Sequence, residues 1–332
     1  MTTLPLIGLI GAGGTISSLA TDPRDYMDYP ETGRKLSVHE VLEELPQLRE
    51  FAALKPLAFR SVGSSAMGPE DWLRLHATIN AAITESPEIA GFVILHGTAT
   101  LEETAYFLSL TLPKDRPVVV VGAQRPLNTL SSDAPANAIN ALRTAASPEA
   151  RGRGVMVVLN DEIHSARDVT KGSTFRLDAF HSPAHGPIGV CDPDRVVFHA
   201  PALPRDAGPA FDLSGVTALP RVDIFHAYAG NDGVMVRACL AAGAEGLVSA
   251  GFAPGMAPPL EREALAEAAR AGVPVVQASR VGAGRVARRG WLARERWIAS
   301  GDLSPVKARI LLMLALRQSR DPDELQRIFD RH

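Results

Sequence analysis

The sequence predicts an α/β protein with two domains. Its apolar runs are short, rich in β-branched residues and separated by segments of helix length, which is typical of strands buried on both faces of a parallel sheet. The chain has 332 residues, of which 46% are hydrophobic. At roughly 100 to 200 residues per domain, this length predicts about two globular domains.

Strand and helix candidates alternate along most of the chain. We predict strands at 6–10, 91–95, 118–121, 155–159, 222–226, 246–249 and 273–277. Amphipathic patterns predict helices at 69–84, 101–110, 133–146, 234–242, 259–271, 304–318 and 321–329.

One interruption divides this alternation. Between about residues 192 and 220 the sequence is rich in Pro, Gly, Asp and Arg and has no sustained period, as interdomain linkers do. We therefore predict an N-terminal domain at 1–197, a linker at 198–219 and a C-terminal domain at 220–332.

The composition argues against several classes of partner. The 34 Lys and Arg residues and 37 Asp and Glu residues give a net charge of −3, so no global positive field attracts nucleic acid or an anionic membrane. Cys191 and Cys239 are too few for a disulfide scaffold and lack C-x-x-C spacing. Nowhere do about 18 apolar residues run together, and the first residues, MTTLP, lack the basic segment of a signal peptide. We expect a soluble, cytoplasmic protein.

The first strand runs into the sequence GAGGTI at 11–16. A dinucleotide-binding turn requires a third glycine where Ile16 stands, and no amphipathic helix follows, which argues against a nucleotide-dependent oxidoreductase. A tight glycine turn that leads to a hydroxyl and a long polar loop suits a nucleophile, Thr15, beneath a lid that is mobile over residues 17–34. The alternative is a glycine turn that ends in threonine without any catalytic role.

The second strand ends in HGTAT at 96–100, and a helix begins with LEET at 101–104. Ligands bind at the carboxyl ends of parallel strands, so we expect Thr98 to join Thr15 in the chemistry. Thr100 followed by Glu103 fits a helix capping box instead.

A third polar segment, NDEIHSARDVTK at 160–171, follows the fourth strand. A lysine shielded from water can accept a proton from a hydroxyl, which makes Lys171 a candidate, although a solvated surface lysine is the usual alternative. The nearby His164, His181 and His185 form no metal-ligand pattern. We expect neither a metal nor an organic cofactor.

Short motifs along nearly the whole chain occur in a characteristic order: GGTI at 13–16, GS at 63–64, HGTxTLEETA at 96–105, GAQRP at 122–126, ND at 160–161, RDVTK at 167–171, SAG at 249–251, SRV at 279–281, ASG at 299–301 and PxKAR at 305–309. In order and spacing they resemble the bacterial-type L-asparaginase family, whose members hydrolyse a side-chain carboxamide to a carboxylate and ammonia with a threonine nucleophile.

The resemblance implies a larger N-terminal domain with a flavodoxin-like sheet, a smaller C-terminal α/β domain, and homodimers or homotetramers with active sites between subunits. Thr15 matches the nucleophile. A tyrosine of the following lid assists it, and Tyr29 is the better placed candidate, with Tyr26 as the alternative. Thr98 and Lys171 match a second centre that assists attack or positions water.

The same resemblance implies a substrate-binding set. Gly63, Ser64 and Gly97 lie on the matching motifs, Ser65 and Ala99 lie at adjoining positions, and Ser64 matches a residue that holds the substrate's α-carboxylate. These residues are expected to bind a small-molecule amide.

Three departures from the family pattern concern the amino-acid head group. Where the family motif reads HGTDT, Ala99 replaces the carboxylate that binds the substrate's ammonium group. A second family carboxylate, donated from the neighbouring subunit, falls near Arg288 and Arg289. Ser65 and Ala66 stand where a longer amide and an acid are common.

These departures leave the substrate open. A desolvated ammonium group without its partner costs several kcal/mol. The substrate is therefore either L-asparagine, with another acid such as Asp133 or Glu295 as the partner, or a desamino monoamide acid such as succinamate. A catalytically weak homologue that only binds a small molecule is the alternative to an amidohydrolase.

Overall fold

The computed structural model describes residues 4–199, 201–202 and 209–332. The chain forms two compact units, Met1–Thr217 and Ala218–His332. Part of the predicted linker, residues 200 and 203–208, lies outside the described residues, so the predicted boundaries stay predictions. No helix within the described ranges is long and apolar enough to cross a membrane.

The N-terminal unit contains twelve strands among its described residues. They are β1 (Leu6–Gly11), β2 (Ser18–Leu19), β3 (Arg34–Lys35), β4 (Ala53–Leu57), β5 (Gly91–Leu95), β6 (Val118–Val121), β7 (Val155–Leu159), β8 (Glu162–Ser165), β9 (Thr170–Lys171), β10 (Phe180–His181), β11 (Gly189–Cys191) and β12 (Val196–Phe198). Its α-helices are α1 (Tyr29–Thr32), α2 (Val38–Glu44), α3 (Pro69–Glu85), α4 (Leu101–Thr111) and α5 (Ala134–Ala146).

Eight of these strands form one sheet in the order β12-β11-β8-β7-β6-β5-β1-β4. The five strands from β4 to β7 pair in parallel, and β8, β11 and β12 add an antiparallel edge. The predicted buried parallel sheet is confirmed, because β5, β6 and β7 are buried throughout. The antiparallel edge was not predicted. Two short pairs, β2–β3 and β9–β10, lie outside this sheet.

The C-terminal unit is built on a smaller parallel sheet. Its strands are β13 (Val222–His226), β14 (Gly246–Gly251), β15 (Val275–Ser279) and β16 (Ile298–Ala299), in that order across the sheet. Its helices are α6 (Val234–Ala241), α7 (Pro259–Arg270), α8 (Gly290–Arg294), α9 (Pro305–Ala315) and α10 (Pro322–Phe329). The prediction of two α/β domains, the larger one N-terminal, is confirmed. The strand predicted at 273–277 begins and ends two residues later than predicted.

In the N-terminal unit, the order β6-β5-β1 places the carboxyl ends of three parallel strands side by side. Thr15 follows β1, Thr98 follows β5 and Gln124 follows β6. The topology therefore brings these three residues to one edge of the sheet, where open α/β sheets bind their ligands.

Candidate active site

Two glycines after β1 allow the first strand end to meet the second. Gly13 and Gly14 have φ angles of 91° and 81°, a region that favours glycine. A Cβ atom on Gly14 would collide with the backbone of Gly97, and one on Gly13 would collide with the backbone of Val62. Thr15 begins a short 3-10 helix directly after this turn and is 9% exposed.

Thr15 contacts Tyr29 of α1. The Oγ1 atom of Thr15 lies 2.6 Å from the hydroxyl oxygen of Tyr29. Burial raises the pKa of Tyr29, and the hydrogen bond to Thr15 opposes this shift. Tyr26, the alternative, donates to the carbonyl of Leu130 at 2.8 Å, and the guanidinium of Arg125 lies over its ring. The geometry therefore places Tyr29, and not Tyr26, against Thr15.

The second hydroxyl, Thr98, lies in a hydrogen-bonded cluster with Lys171 and Gln124. Lys171 Nζ donates to Thr98 Oγ1 at 2.7 Å and to Gln124 Oε1 at 3.2 Å. Thr98 in turn donates to Gln124 Oε1 at 3.1 Å. Burial lowers the pKa of Lys171, which makes this amine a better proton acceptor near neutral pH than an exposed lysine.

Glu102 holds the strand that carries Lys171. Its Oε1 atom accepts hydrogen bonds from Lys171 N at 3.1 Å and from Thr170 Oγ1 at 3.2 Å. The negative charge of Glu102 raises the pKa of Lys171 and so partly opposes the effect of burial. Lys171 also pairs with Phe180 across the β9–β10 ladder. The solvated-lysine alternative is wrong, because the amine is partly buried and bonded.

Ser64 lies against the second strand end. Its Oγ atom accepts a hydrogen bond from Ala99 N at 3.1 Å, and a Cβ atom on Gly97 would come within 2.6 Å of Ser64 Oγ. Thr100 Oγ1 donates to the carbonyl of Ser64 at 2.8 Å. Thr100 occupies the N-cap position of α4, but its side chain makes no capping hydrogen bond. The predicted capping box with Glu103 is therefore wrong, because the hydroxyl joins two loops instead.

The remaining predicted binding residues surround Ser64. Gly63 precedes the 3-10 helix Ser64–Ala66, and a Cβ atom placed on it would lie 3.8 Å from Lys35 Cε and 3.8 Å from Ser65 Oγ. Ser65 and Ala99 are exposed. Both side chains thus remain accessible beside a buried serine.

A buried hydrogen-bonded chain supports the turn that carries Thr98. Trp72 Nε1 donates to Thr104 Oγ1 at 3.1 Å, Thr104 Oγ1 lies 2.9 Å from His96 Nε2, and His96 Nδ1 lies 2.8 Å from the carbonyl of Gly97. This chain is satisfied when His96 is neutral and carries its proton on Nδ1. Burial lowers the pKa of His96 to about 4, in agreement with that assignment.

Two models of known protein families match most of the chain. Residues 6–204 match the family model described as "Asparaginase, N-terminal", and residues 221–329 match "Glutaminase/Asparaginase C-terminal domain". The chain belongs to the asparaginase family. It is an asparaginase-type amidohydrolase.

Named relatives match nearly the full length of the chain. "L-asparaginase 2" of Escherichia coli (strain K12) is 39% identical over 99% of this chain and 94% of its own length. "Probable L-asparaginase periplasmic" of Haemophilus influenzae is 38% identical over 98% of this chain and 93% of its own length. A crystal structure of "Probable Cytoplasmic L-asparaginase" from Campylobacter jejuni matches with a TM-score of 0.93 and 38% identity, covering 98% of this chain and 99% of that one.

In this family member, Asp133 already makes other hydrogen bonds. Its carboxylate accepts hydrogen bonds from the backbone N–H groups of Gln124 and Arg125 and from the side chain of Asn137. Asp133 thereby fixes the loop after β6. Its carboxylate is less available to a substrate ammonium group than the sequence alone suggested.

The other charged candidates lie in the C-terminal unit. Arg288 forms an ion pair with Asp323, and Arg289 donates to the carbonyl of Gly255. Glu295 lies 3.9 Å from Arg262. Glu295 and both arginines therefore have partners within their own unit.

Sequence reasoning assigned no role to Gln124, which bonds to Thr98 and Lys171, or to Glu102, which bonds to the Lys171 backbone. Gln124 and Glu102 both lie in matching motifs, but a glutamine after a strand and a glutamate in the first turn of a helix usually face solvent. The position of Gln124 directly after β6 was the available signal, since β6 pairs with β5, and β5 and β1 are both followed by site residues.

Proposed function

We propose that this asparaginase-type enzyme hydrolyses a small carboxamide to a carboxylate and ammonia with Thr15 as the nucleophile. One observation carries the proposal. Two buried hydroxyls, each in contact with a group that can exchange its proton, follow adjacent strands. Thr15 lies 2.6 Å from Tyr29, and Thr98 lies 2.7 Å from Lys171. This arrangement of nucleophile and adjacent proton acceptor is the one that hydroxyl nucleophiles require.

In the proposed first step, Thr15 Oγ1 attacks the amide carbon and its proton passes to the Tyr29 hydroxyl oxygen, 2.6 Å away. Tyr29, which the raised pKa keeps neutral, releases its own proton toward the amide nitrogen at the same time. Collapse of the tetrahedral intermediate breaks the C–N bond, and the nitrogen leaves as ammonia after it takes up a proton. Water then attacks the threonine ester and releases the carboxylate. Thr98 and the neutral form of Lys171 assist by positioning the water or accepting its proton.

For the substrate, two candidates follow from the site. Relatives are named "L-asparaginase 2" and "Glutaminase-asparaginase", which favours L-asparagine. Ala99 offers no carboxylate to an ammonium group, and Asp133 is bonded to backbone N–H groups, which favours a desamino monoamide such as succinamate. Ser64 would bind the carboxylate of either substrate.

Substitutions at both centres test the mechanism. We expect Thr15→Ala and Lys171→Met each to lower ammonia release from the best amide by at least about a hundredfold, the usual scale for a nucleophile or proton-transfer group. Thr78→Ala is the matched control, because its hydroxyl donates to the carbonyl of Arg74 within α3, away from the strand ends that carry the site. Melting temperatures would verify folding.

Near-normal turnover in Thr15→Ala would refute the nucleophile assignment. A wild-type protein that binds asparagine or succinamate but releases ammonia from neither would favour the weak binding homologue instead.

We further propose a homodimer or homotetramer with active sites between subunits. A group of exposed apolar side chains at one edge of the C-terminal unit supports this assembly: Tyr228, Val234, Met235, Met256, Leu260 and Val281. A cytoplasmic location also stays a proposal, since the relatives named above include one called cytoplasmic and one called periplasmic.

A further inference from the structure

The side-chain amide of Gln124 lies between the two groups of the second centre and has a determined orientation. Its Oε1 atom accepts from both Thr98 and Lys171, and its Nε2 atom donates to the carbonyl of Arg176 at 3.0 Å. The opposite orientation would point N–H groups at an ammonium group and an oxygen at a carbonyl. The oxygen of Gln124 therefore faces Lys171.

The backbone of Gln124 is fixed as firmly as its side chain. Gln124 N donates to both carboxylate oxygens of Asp133, at 2.9 and 3.2 Å, and Arg125 N donates to the same carboxylate at 3.0 Å. Gln124 is thus held in place from two sides by protein groups alone. Preorganised acceptors of this kind need no rearrangement during a reaction.

The hydrogen bonds also define where the Thr98 proton points. Thr98 has one hydroxyl proton, which it donates to Gln124 Oε1, while its oxygen accepts from the ammonium group of Lys171. Thr98 can pass that proton to Lys171 only when the amine is neutral and the hydroxyl has turned from Gln124 toward Nζ. Gln124 competes with Lys171 for the proton and at the same time stabilises the charged form of the amine.

We propose that Gln124 is a positioning residue that sets the charge state of Lys171 and directs the hydroxyl proton of Thr98. The proposal rests on the proposed function, in which Lys171 accepts a proton. Glu102 of α4 is the other acceptor that acts on Lys171, through its backbone N–H and its negative charge. Arg176 contacts Gln124 through its backbone carbonyl only in the sense that this oxygen accepts from Gln124 Nε2. The guanidinium group of Arg176 pairs with Asp178.

The pH dependence of kcat/KM for L-asparagine and for succinamate tests this proposal in the full-length protein. Activity that requires neutral Lys171 rises with pH through the pKa of that amine. Gln124→Glu places a carboxylate beside Nζ, so we expect the rising limb to move to higher pH by about one unit or more. Gln124→Met removes an acceptor from the ammonium form and should move the limb to lower pH.

Gln47→Glu is the matched control, because Gln47 lies in the 3-10 helix Pro46–Glu50 before β4, whereas the site follows the strand ends. This control should keep the wild-type profile. Lys171→Met should abolish the rising limb.

Suppose that Lys171→Met abolishes the rising limb of the pH profile, but that the folded variants Gln124→Glu and Gln124→Met both keep this limb at the wild-type pH. This outcome would overturn the role of Gln124 and leave the proposed function of Lys171 intact. Retention of full turnover and of the limb in Lys171→Met would instead overturn the proposed function of the lysine, and the Gln124 proposal with it.

Discussion

At the residue scale, the partner of each hydroxyl decides what that hydroxyl can do. Thr98 and Thr100 are two residues apart, yet Thr98 bonds to an amine of lowered pKa while Thr100 bonds to the carbonyl of Ser64. Thr98 can therefore take part in proton transfer, and Thr100 joins two loops. Residue type and motif suggested both positions, but only the contacts separate the two roles.

Restoring the family carboxylate tests the substrate inference. We expect Ala99→Asp to raise kcat/KM for L-asparagine relative to succinamate by roughly tenfold or more, because a charge-assisted hydrogen bond to an ammonium group contributes about 1.5 to 3 kcal/mol. The same change should penalise succinamate, since the new carboxylate would be desolvated without a partner.

Ala99→Asn is the matched control, because it adds similar volume without the charge. Steady-state kinetics on both amides would measure the ratio. A wild-type enzyme that already strongly prefers asparagine, and whose preference Ala99→Asp leaves unchanged, would show that another residue binds the ammonium group.

His96 makes a separate prediction about stability and pH. The folded protein binds a proton at His96 only near pH 4, whereas an unfolded histidine binds one near 6.5. The contribution of neutral His96 is therefore complete above about pH 6.5 and is lost as the pH falls toward 4. At pH 5 the loss is about 2 kcal/mol.

Denaturant unfolding at pH 7 and pH 5 would measure this loss. His96→Gln should show a smaller decrease in unfolding free energy between the two pH values than the wild type. His39→Gln, a change at an exposed histidine, should match the wild type. Equal decreases in all three proteins would argue that His96 is not held neutral.

At the element scale, predictability followed burial. The buried strands β5, β6 and β7 and the long amphipathic helix α3 match the predicted ranges closely. The edge strand β4 contains Lys55 and Pro56, and β9 and β10 have two residues each, so they carry no burial pattern that a sequence could show. These three strands form because they pair with neighbouring strands in the folded protein.

Some residues of the candidate site could likewise be predicted from the sequence, and others could not. Thr15 and Thr98 could be predicted because they follow recognisable buried strands. The environment of Lys171 could not, because it depends on the β9–β10 pair and on Glu102, which is 69 residues away in sequence. Gln124 was missed because nothing in its local sequence shows that its amide faces an amine.

The predicted lid is more ordered at its ends than the sequence suggested. Residues 17–34 were expected to form one mobile loop, but Ser18 and Leu19 pair with β3, and Asn128 makes two hydrogen bonds to the backbone of Ala20. Between these anchors, the segment at 21–33 is largely exposed and makes mainly local hydrogen bonds.

Hydrogen exchange should separate the two parts of the lid. We expect amides at 21–33 to exchange rapidly in the ligand-free protein, because little apolar surface holds that segment. Amides of the β2–β3 pair should exchange more slowly, since they are paired. Binding of a dicarboxylate product such as aspartate or succinate should slow exchange around Tyr29. Strong protection throughout 21–33 without ligand would contradict the lid.

At the scale of the whole molecule, each unit has its own sheet and its own apolar core. The sequence predicted this division, because the chain is long enough for two domains and its two series of strands and helices are separated by a segment without a hydrophobic period. The assembly state could not be predicted from the sequence pattern in the same way. It depends on which surfaces remain apolar after folding, and that property is distributed over residues far apart in the sequence.

The apolar edge of the C-terminal unit carries the last prediction. Its six side chains, defined above, are 42–55% exposed. They follow or lie close to the carboxyl ends of β13, β14 and β15, which are neighbours in a parallel sheet, so they gather on one surface. Clustered exposed apolar groups mark association surfaces.

If this edge binds a second copy of the chain and completes the active sites, the double variant Met235→Glu and Leu260→Glu should shift the mass in light scattering toward the monomer. It should also lower ammonia release, because the sites would be incomplete. Leu4→Glu, the same change at an exposed leucine of the N-terminal unit, should alter neither property. A wild-type protein that is monomeric and fully active, or a folded double variant that keeps its mass, would show that this edge does not build the active assembly.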